Sequence, residues 1–188
     1  MRKLTLEEID RQRLDPETAR EAPRLPIYVL LDNVRSLHNV GAMFRSADAA
    51  GVAELILCGI TGRPPRPEIE KTALGATETV PWRYETDALA AIGELKAAGV
   101  TIVALEHTAE SRPYWSVAYP TPVCLVVGNE VWGVQESLLE SVDLAVEIPM
   151  LGAKHSLNAG VAFGVAVYEL VAQIRAGRPP APESGKRQ

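Results

Sequence analysis

The feature that most constrains this chain is the alternation of short, unbroken apolar runs with helical periodicity between Ile27 and Ile174. Ile27–Leu31 is bounded by Pro26 and Asp32-Asn33, the pattern of a strand buried on both faces. Val40, Met43, Phe44 and Ala47 then fall on one helical stripe, closed by Gly51. Leu55–Cys58 predicts the next strand, and Gly-Arg-Pro-Pro-Arg-Pro at Gly62–Pro67 a loop. The pattern continues with a short helix at Glu68–Ala73, a strand near Val80–Arg83, a helix over Thr86–Ala98 ended by Gly99, and a strand at Thr101–Leu105. Pro113, Pro120 and Pro122 keep Arg112–Pro122 irregular. Strand Val123–Val127, helix Gln135–Ser141, strand Leu144–Ile148 and a last helix Leu157–Ile174 complete the series. Strands alternating with helices predict an α/β domain whose parallel sheet is covered by helices on both faces.

At 188 residues the chain suits one domain with a sizeable core. Residues 1–25 read as a polar arm beginning with a short helix, 26–175 as the folded domain, and 176–188 as a disordered Pro-rich tail. No apolar run reaches membrane-spanning length and the N-terminus lacks a secretory apolar core, so the expected location is the cytoplasm. Cys58 and Cys124 each sit inside a strand-like run and read as small core hydrophobes. His38, His107 and His155 share no zinc-ligand spacing with each other or with the cysteines, so no metal is expected. The formal charge of −5 argues against nucleic acid as a generic partner, because phosphate binding draws on Lys and Arg. Only the C-terminal tail is locally positive, with Arg175, Arg178, Lys186 and Arg187 against Glu183.

Open parallel sheets bind ligands beyond the carboxyl ends of their strands, so the residues after each strand carry the functional information. Neither a Gly-x-Gly-x-x-Gly turn nor a phosphate-cradling Gly-Lys-Ser/Thr loop follows a strand, which disfavours NAD and ATP. Three other segments stand out. Asn39 precedes a helix carrying Arg45, with Gly41 one turn earlier leaving that face bare for a substrate; the bland alternative is an Arg45–Asp48 pair at i,i+3. Gly128-Asn129-Glu130-Val131-Trp132-Gly133 follows Val123–Val127, its glycines permitting close backbone approach to a ligand. Glu130 there reads equally well as a charge favoured at a helix N-terminus. Ile148-Pro149-Met150 leads through Gly152 to Ser156-Leu157-Asn158, where Ser156 reads as an N-cap and Asn158 lacks an obvious structural role. The helix that follows is apolar almost all round, which predicts burial, and Gly160 and Gly164 give it a bare stripe for tight packing against a helix or a partner subunit.

In this order the three segments resemble the three motifs of the SpoU (TrmH-like) class of RNA methyltransferases. Asn39 to Arg45 matches Asn-x-Gly-x-x-x-Arg, Gly128 to Gly133 matches Gly-x-Glu-x-x-Gly, and Ile148–Met150 with Ser156–Asn158 matches Ile-Pro-Met followed by Ser-Leu-Asn. The likeness covers roughly Ile27 to Ile174; it departs after Asn158, where Ala159-Gly160 stands in place of the usual Val-Ser. The resemblance implies a C-terminal trefoil knot, an exception to the usual connection rules, an obligate homodimer, and bound S-adenosylmethionine. It places that cofactor at Leu105, Gly128, Ile148, Ser156 and Leu157. It implies methylation of a ribose 2′-hydroxyl in structured RNA, with tRNA favoured and ribosomal RNA the alternative. Arg45 would bind a phosphate and stabilise the developing oxyanion, Asn39 would orient Arg45, Ser156 and Asn158 would hold the ribose or cofactor, and Glu130 would order the site, if need be across the dimer. The non-enzymatic alternative is a knotted RNA-binding subunit, which the acidic composition favours and which Arg45, Glu130 and Asn158 oppose.

Overall fold

The computed structural model describes residues 1–11 and 13–177. From Arg178 onward the expected tail lies outside the described residues. Two short helices, α1 (Leu6–Asp10) and α2 (Pro16–Glu21), form the N-terminal arm where the sequence predicts one. The second start comes from Asp15, whose carboxylate accepts the N–H groups of Glu17 and Thr18, while Pro16 has no N–H to leave unpaired. Neither helix buries a residue. The arm is instead tied down by backbone carbonyls: Arg20 donates to Glu78 at 2.8 Å and Arg24 to Val52 at 3.2 Å.

The domain then runs β1 (Leu25–Asp32), α3 (Leu37–Ala50), β2 (Val52–Cys58), α4 (Pro67–Ala73), α5 (Ala76–Thr79), β3 (Trp82–Glu85), α6 (Ala88–Ala97), β4 (Thr101–Leu105), β5 (Arg112–Pro113), β6 (Val123–Val127), α7 (Glu136–Leu139), β7 (Leu144–Glu147) and α8 (Ala159–Arg175). The seven strands form one sheet in the order β3-β2-β1-β6-β4-β7-β5. Every neighbouring pair is parallel, as the alternation of strands and helices requires. The two-residue β5 is the one strand the sequence leaves as loop; it pairs Arg112 with Val146.

Strand alternation sorts the core into two layers. Ile27, Val29 and Leu31 of β1 point to one face, where they meet Val40, Met43 and Phe44 of α3 and Phe163, Val167 and Leu170 of α8. Leu30 points to the other, with Ile92 and Leu95 of α6 and Leu138 of α7. β6 is buried at all five positions because helices cover it on both sides. Both cysteines are free and buried, and burial followed by the nearby Asp32 charge pushes the Cys58 thiol up to about 12. The Cys124 thiol is likewise raised by burial, so both stay neutral packing groups.

Two sequence expectations about helix packing need correction. Gly41 does not leave a face open: a Cβ there would stand 2.1 Å from the Thr72 hydroxyl and 2.3 Å from the Ile69 carbonyl oxygen, because α4 crosses α3 at this point. Nor is α8 buried all round. Its Gly160 and Gly164 do face α3, with Ala42 Cβ 3.6 Å and Ser46 Oγ 4.0 Å from the positions their side chains would take. Yet Val161 and Tyr168 on another side are 54% and 50% exposed. Nothing among the described residues covers that stripe.

Candidate active site

The three motif segments come from distant parts of the sequence and meet at the carboxyl ends of the central strands. Glu130, in the turn after β6, is the hub. Its Oε2 accepts the Arg35 N–H at 2.9 Å, and its Oε1 accepts the Ser36 N–H at 2.9 Å and the Asn39 carboxamide at 2.8 Å. Ser36 is the N-cap of α3, so Glu130 is indeed a charge at a helix N-terminus, but of a helix some ninety residues earlier. The contact lies within one chain. Burial alone pushes its carboxyl up, and the N–H donors of Arg35, Ser36 and Asn39 outweigh that, holding it below the usual carboxylate range.

Asn39 passes the network on. Its Oδ1 accepts the Asn158 carboxamide at 3.0 Å. Asn158, not Ser156, is the N-cap of α8: its Oδ1 accepts the Gly160 and Val161 N–H groups at 3.0 and 3.2 Å. The asparagine without an obvious structural role thus starts one helix and touches the first turn of another. The chain Glu130–Asn39–Asn158 fixes the relative position of all three motifs.

A second set of bonds, absent from the sequence reading, braces the turn after β6 against the end of β1, where the strand order reverses. Asp32 is fully buried and accepts the Gln135 N–H at 3.0 Å and its carboxamide at 2.6 Å. Asn129 donates to the Asn33 carbonyl at 2.8 Å, and the Glu106 carboxylate takes the Val134 N–H at 2.9 Å. The glycines of the second motif serve this closure. A Cβ on Gly128 would lie 2.2 Å from the Gly133 carbonyl carbon, so the missing side chain lets the loop close on itself. Gly133 has φ 69° and packs on Glu106. Polar residues directly after apolar strands (Asp32-Asn33, Glu106, Asn129) were the available signal.

Beside the network opens a cleft of about 930 Å³ across the ends of β4, β6 and β7. Leu105, Gly128, Ile148, Ser156 and Leu157 all line it, together with Glu130. Its walls also include Val127, Met150 and Trp132, the last 85% exposed. Glu147 at the rim is held below the usual carboxylate range by the Ser111 hydroxyl at 2.7 Å and by His107 at 3.2 Å. The segment Ile148–Leu157, which forms one wall, makes no hydrogen bond among the described residues. Its free N–H and C=O groups beside flat apolar side chains suit an adenine ring and an amino-acid tail, and the volume suits a ligand of that size. S-adenosylmethionine therefore fits the residues present. Among the described residues no cluster of His, Cys, Asp or Glu suits a metal ion, and no helix is long and apolar enough to cross a membrane.

Arg45 stands apart. It lies six residues beyond Asn39, about 9 Å along α3, exposed and without a hydrogen bond or ion pair among the described residues. Asp48 does not pair with it and instead accepts the Thr79 hydroxyl at 2.7 Å. Asn39 does not orient it either, being engaged with Glu130 and Asn158. Helical spacing puts Arg45 on the outer ridge between the side of α3 that meets α4 and the side that meets α8.

Comparison with known proteins agrees with this geometry. The profile of the SpoU rRNA Methylase family matches residues 26–168. A tRNA (guanosine(18)-2′-O)-methyltransferase of Thermus thermophilus is 36% identical over 171 residues, covering 90% of this chain and 86% of that one. The crystal structure of the TrmH/SpoU tRNA modifying enzyme of A. aeolicus superposes with a TM-score of 0.76 at 30% identity, over 95% of this chain and 89% of the other. An AdoMet-bound rRNA methyltransferase from Sinorhizobium meliloti gives a TM-score of 0.74 at 33% identity; 87% of this chain is covered, but only 62% of that longer one. Three motifs joined in one network and a family profile spanning most of the chain lead to one assignment: the chain belongs to the SpoU rRNA methylase family.

Proposed function

We propose that the protein transfers a methyl group from S-adenosylmethionine to a ribose 2′-hydroxyl of structured RNA. The observation that carries this reading is the Glu130–Asn39–Asn158 network standing at the edge of a cleft that holds every residue expected to touch the cofactor. The cofactor supplies the transferable methyl group. The chain's part is to bind, orient and stabilise. Leu105, Ile148 and Leu157 wall the cleft, Gly128 and Ser156 line it with backbone and hydroxyl groups, and the network keeps the two loops at fixed separation. A guanidinium offers N–H donors and no acceptor, so Arg45 acts as a binder of an RNA phosphate and of charge developing on the 2′-oxygen, not as a base. A tRNA substrate is favoured over ribosomal RNA: the likeness to the Thermus enzyme, which acts on tRNA, extends over 90% of this chain, against 79% for a 23S rRNA enzyme of Ralstonia nicotianae.

The assembly is a homodimer in the cytoplasm. Arg45 does not line the cleft of its own chain, and α8 leaves Val161 and Tyr168 exposed. A second copy seated on α8 would cover that stripe and bring its Arg45 toward the first copy's cleft. The trefoil knot belongs to the same reading. It is supported by the return of Ile148–Leu157 from β7, near one sheet edge, to α8, which packs on α3 and β1. Incubation with labelled cofactor and RNA from a strain lacking the protein, followed by nucleoside mass spectrometry, tests the activity. One 2′-O-methylated nucleoside should appear with wild-type protein and not with Arg45→Ala, whose cofactor affinity should change little. Near-normal methylation by that variant would sink the role given to Arg45; cofactor binding without methylation of any RNA would favour the non-enzymatic subunit.

A further inference from the structure

A second concavity, about 320 Å³, opens beside the turn after β2 and is not used by the site above. Gly59, Ile60 and Thr61 line it, with Arg35, Arg63, Arg66 and Tyr84. Among the described residues, three arginines and no acidic residue line it, in a chain with a formal charge of −5. All three arginines are exposed, and none has an acidic partner among the described residues. Arg83, on β3 next to this turn, is by contrast bound by Glu54, Glu85 and Glu94 at 3.4, 2.7 and 3.0 Å.

Arg63 rests on an aromatic ring instead of an acid. Its guanidinium carbon lies 4.1 Å from the Tyr84 ring centroid, and the Tyr84 hydroxyl is anchored to the Gly59 carbonyl at 2.9 Å. A stacked guanidinium keeps its N–H edge available for a planar, bidentate acceptor. Arg63 and Arg66 flank Pro64-Pro65, whose fixed φ angles limit the freedom lost when an anion is gripped. Clustered cations repel one another, and an anion bound among them relieves that repulsion. Phosphate oxygens are the acceptors that guanidinium groups match best.

One backbone hydrogen bond links the pocket to the active site. The Arg35 N–H is held by Glu130, which lines the first cleft, while Arg35 itself lines the second. Resting on the reading that the substrate is RNA, we propose that this pocket is a phosphodiester subsite gripping the RNA strand next to the nucleotide being methylated. It concentrates positive charge where the chain as a whole has none to spare.

The test compares wild type with Arg63→Ala/Arg66→Ala and Arg63→Glu/Arg66→Glu, using an unmodified tRNA transcript across a range of salt. Lys96→Ala serves as control, since Lys96 pairs with Asp143 near the amino end of β4, at the other end of the sheet. The double alanine variant should raise the RNA Kd about tenfold and flatten the salt dependence of log K by roughly 0.7 to 0.9 per guanidinium lost. The glutamate variant should weaken binding further, while cofactor Kd, melting temperature and the control keep wild-type values. If wild type binds tRNA and both variants bind it equally, with the same slope, the subsite is overturned and the enzymatic reading survives. If wild type binds no RNA, both fall. Calorimetry with inorganic pyrophosphate closes the remaining case: pyrophosphate binding lost in the variants, with RNA affinity unmoved, would make this a free-anion site and overturn the proposal.

Discussion

Glu130 shows how much one side chain can hold. Its three donors come from the start of α3, and Asn39 extends the contact to the N-cap of α8. Because its folded-state pKa is depressed, Glu130 contributes stability that is present above the unfolded value of about 4.3 and lost as pH falls through the lower folded value. Glu130→Gln should therefore unfold at lower urea than wild type near neutral pH, and the gap should shrink as the solution is acidified below about pH 4. A gap of constant size down to strong acid would show that the charge plays no part. The motif residues were readable from spacing, and Glu130 was readable as a helix-start charge. Which helix it served was not: Glu130 and Asn39 are 91 residues apart, and no local periodicity links them.

At the scale of elements, the α3–α4 contact is decided by the one position where the helices nearly touch. Alanine at Gly41 would gain about 1 kcal/mol of helix propensity. Its Cβ would also meet a backbone oxygen 2.3 Å away, which cannot rotate aside. Overpacking of that kind costs about 1–3 kcal/mol, so Gly41→Ala should be net destabilising, with a lower urea midpoint and an unchanged slope. A stabilised variant would mean that the helices separate freely. Strand positions were legible almost throughout, since β4 and β6 coincide with the apolar runs Thr101–Leu105 and Val123–Val127. β5 was not, because two residues carry no period. Ser156 was a reasonable N-cap by residue type, but the backbone turns helical two residues later, where Asn158 has both the α8 N–H groups and Asn39 in reach.

For the molecule as a whole, the exposed apolar stripe of α8 and the isolated Arg45 point to the proposed dimer. Val161→Glu with Tyr168→Glu places charge on that stripe and should give a monomer by sedimentation, with methylation lost and the α/β circular dichroism retained. Mixing Arg45→Ala with Leu157→Asp, each inactive alone, should restore partial activity, because one mixed dimer combines an intact cleft with an intact Arg45 from the other copy. Failure of the mixture to recover any activity would place Arg45 and the cleft in the same chain. The acidic composition, which argued against RNA, describes an average; the arginines at 35, 63 and 66 gather into one pocket only after folding.

The sequence by itself determined the order of strands and helices, the two-sided burial of the central strands, the three motifs and hence the family. Those properties live in windows of a few residues, where the periods of strand and helix and the chemistry of loop residues are expressed directly. Only the tertiary structure decided that Asn158 caps α8 and is bonded to Asn39, that Gly41 is filled by α4, and that Arg45 does not line the cleft of its own chain. It also decided that three arginines share a pocket with no acid among the described residues. The reason is physical: each of these depends on which side chains meet across long sequence separations, and that is set by the packing of helices on the sheet rather than by any local pattern.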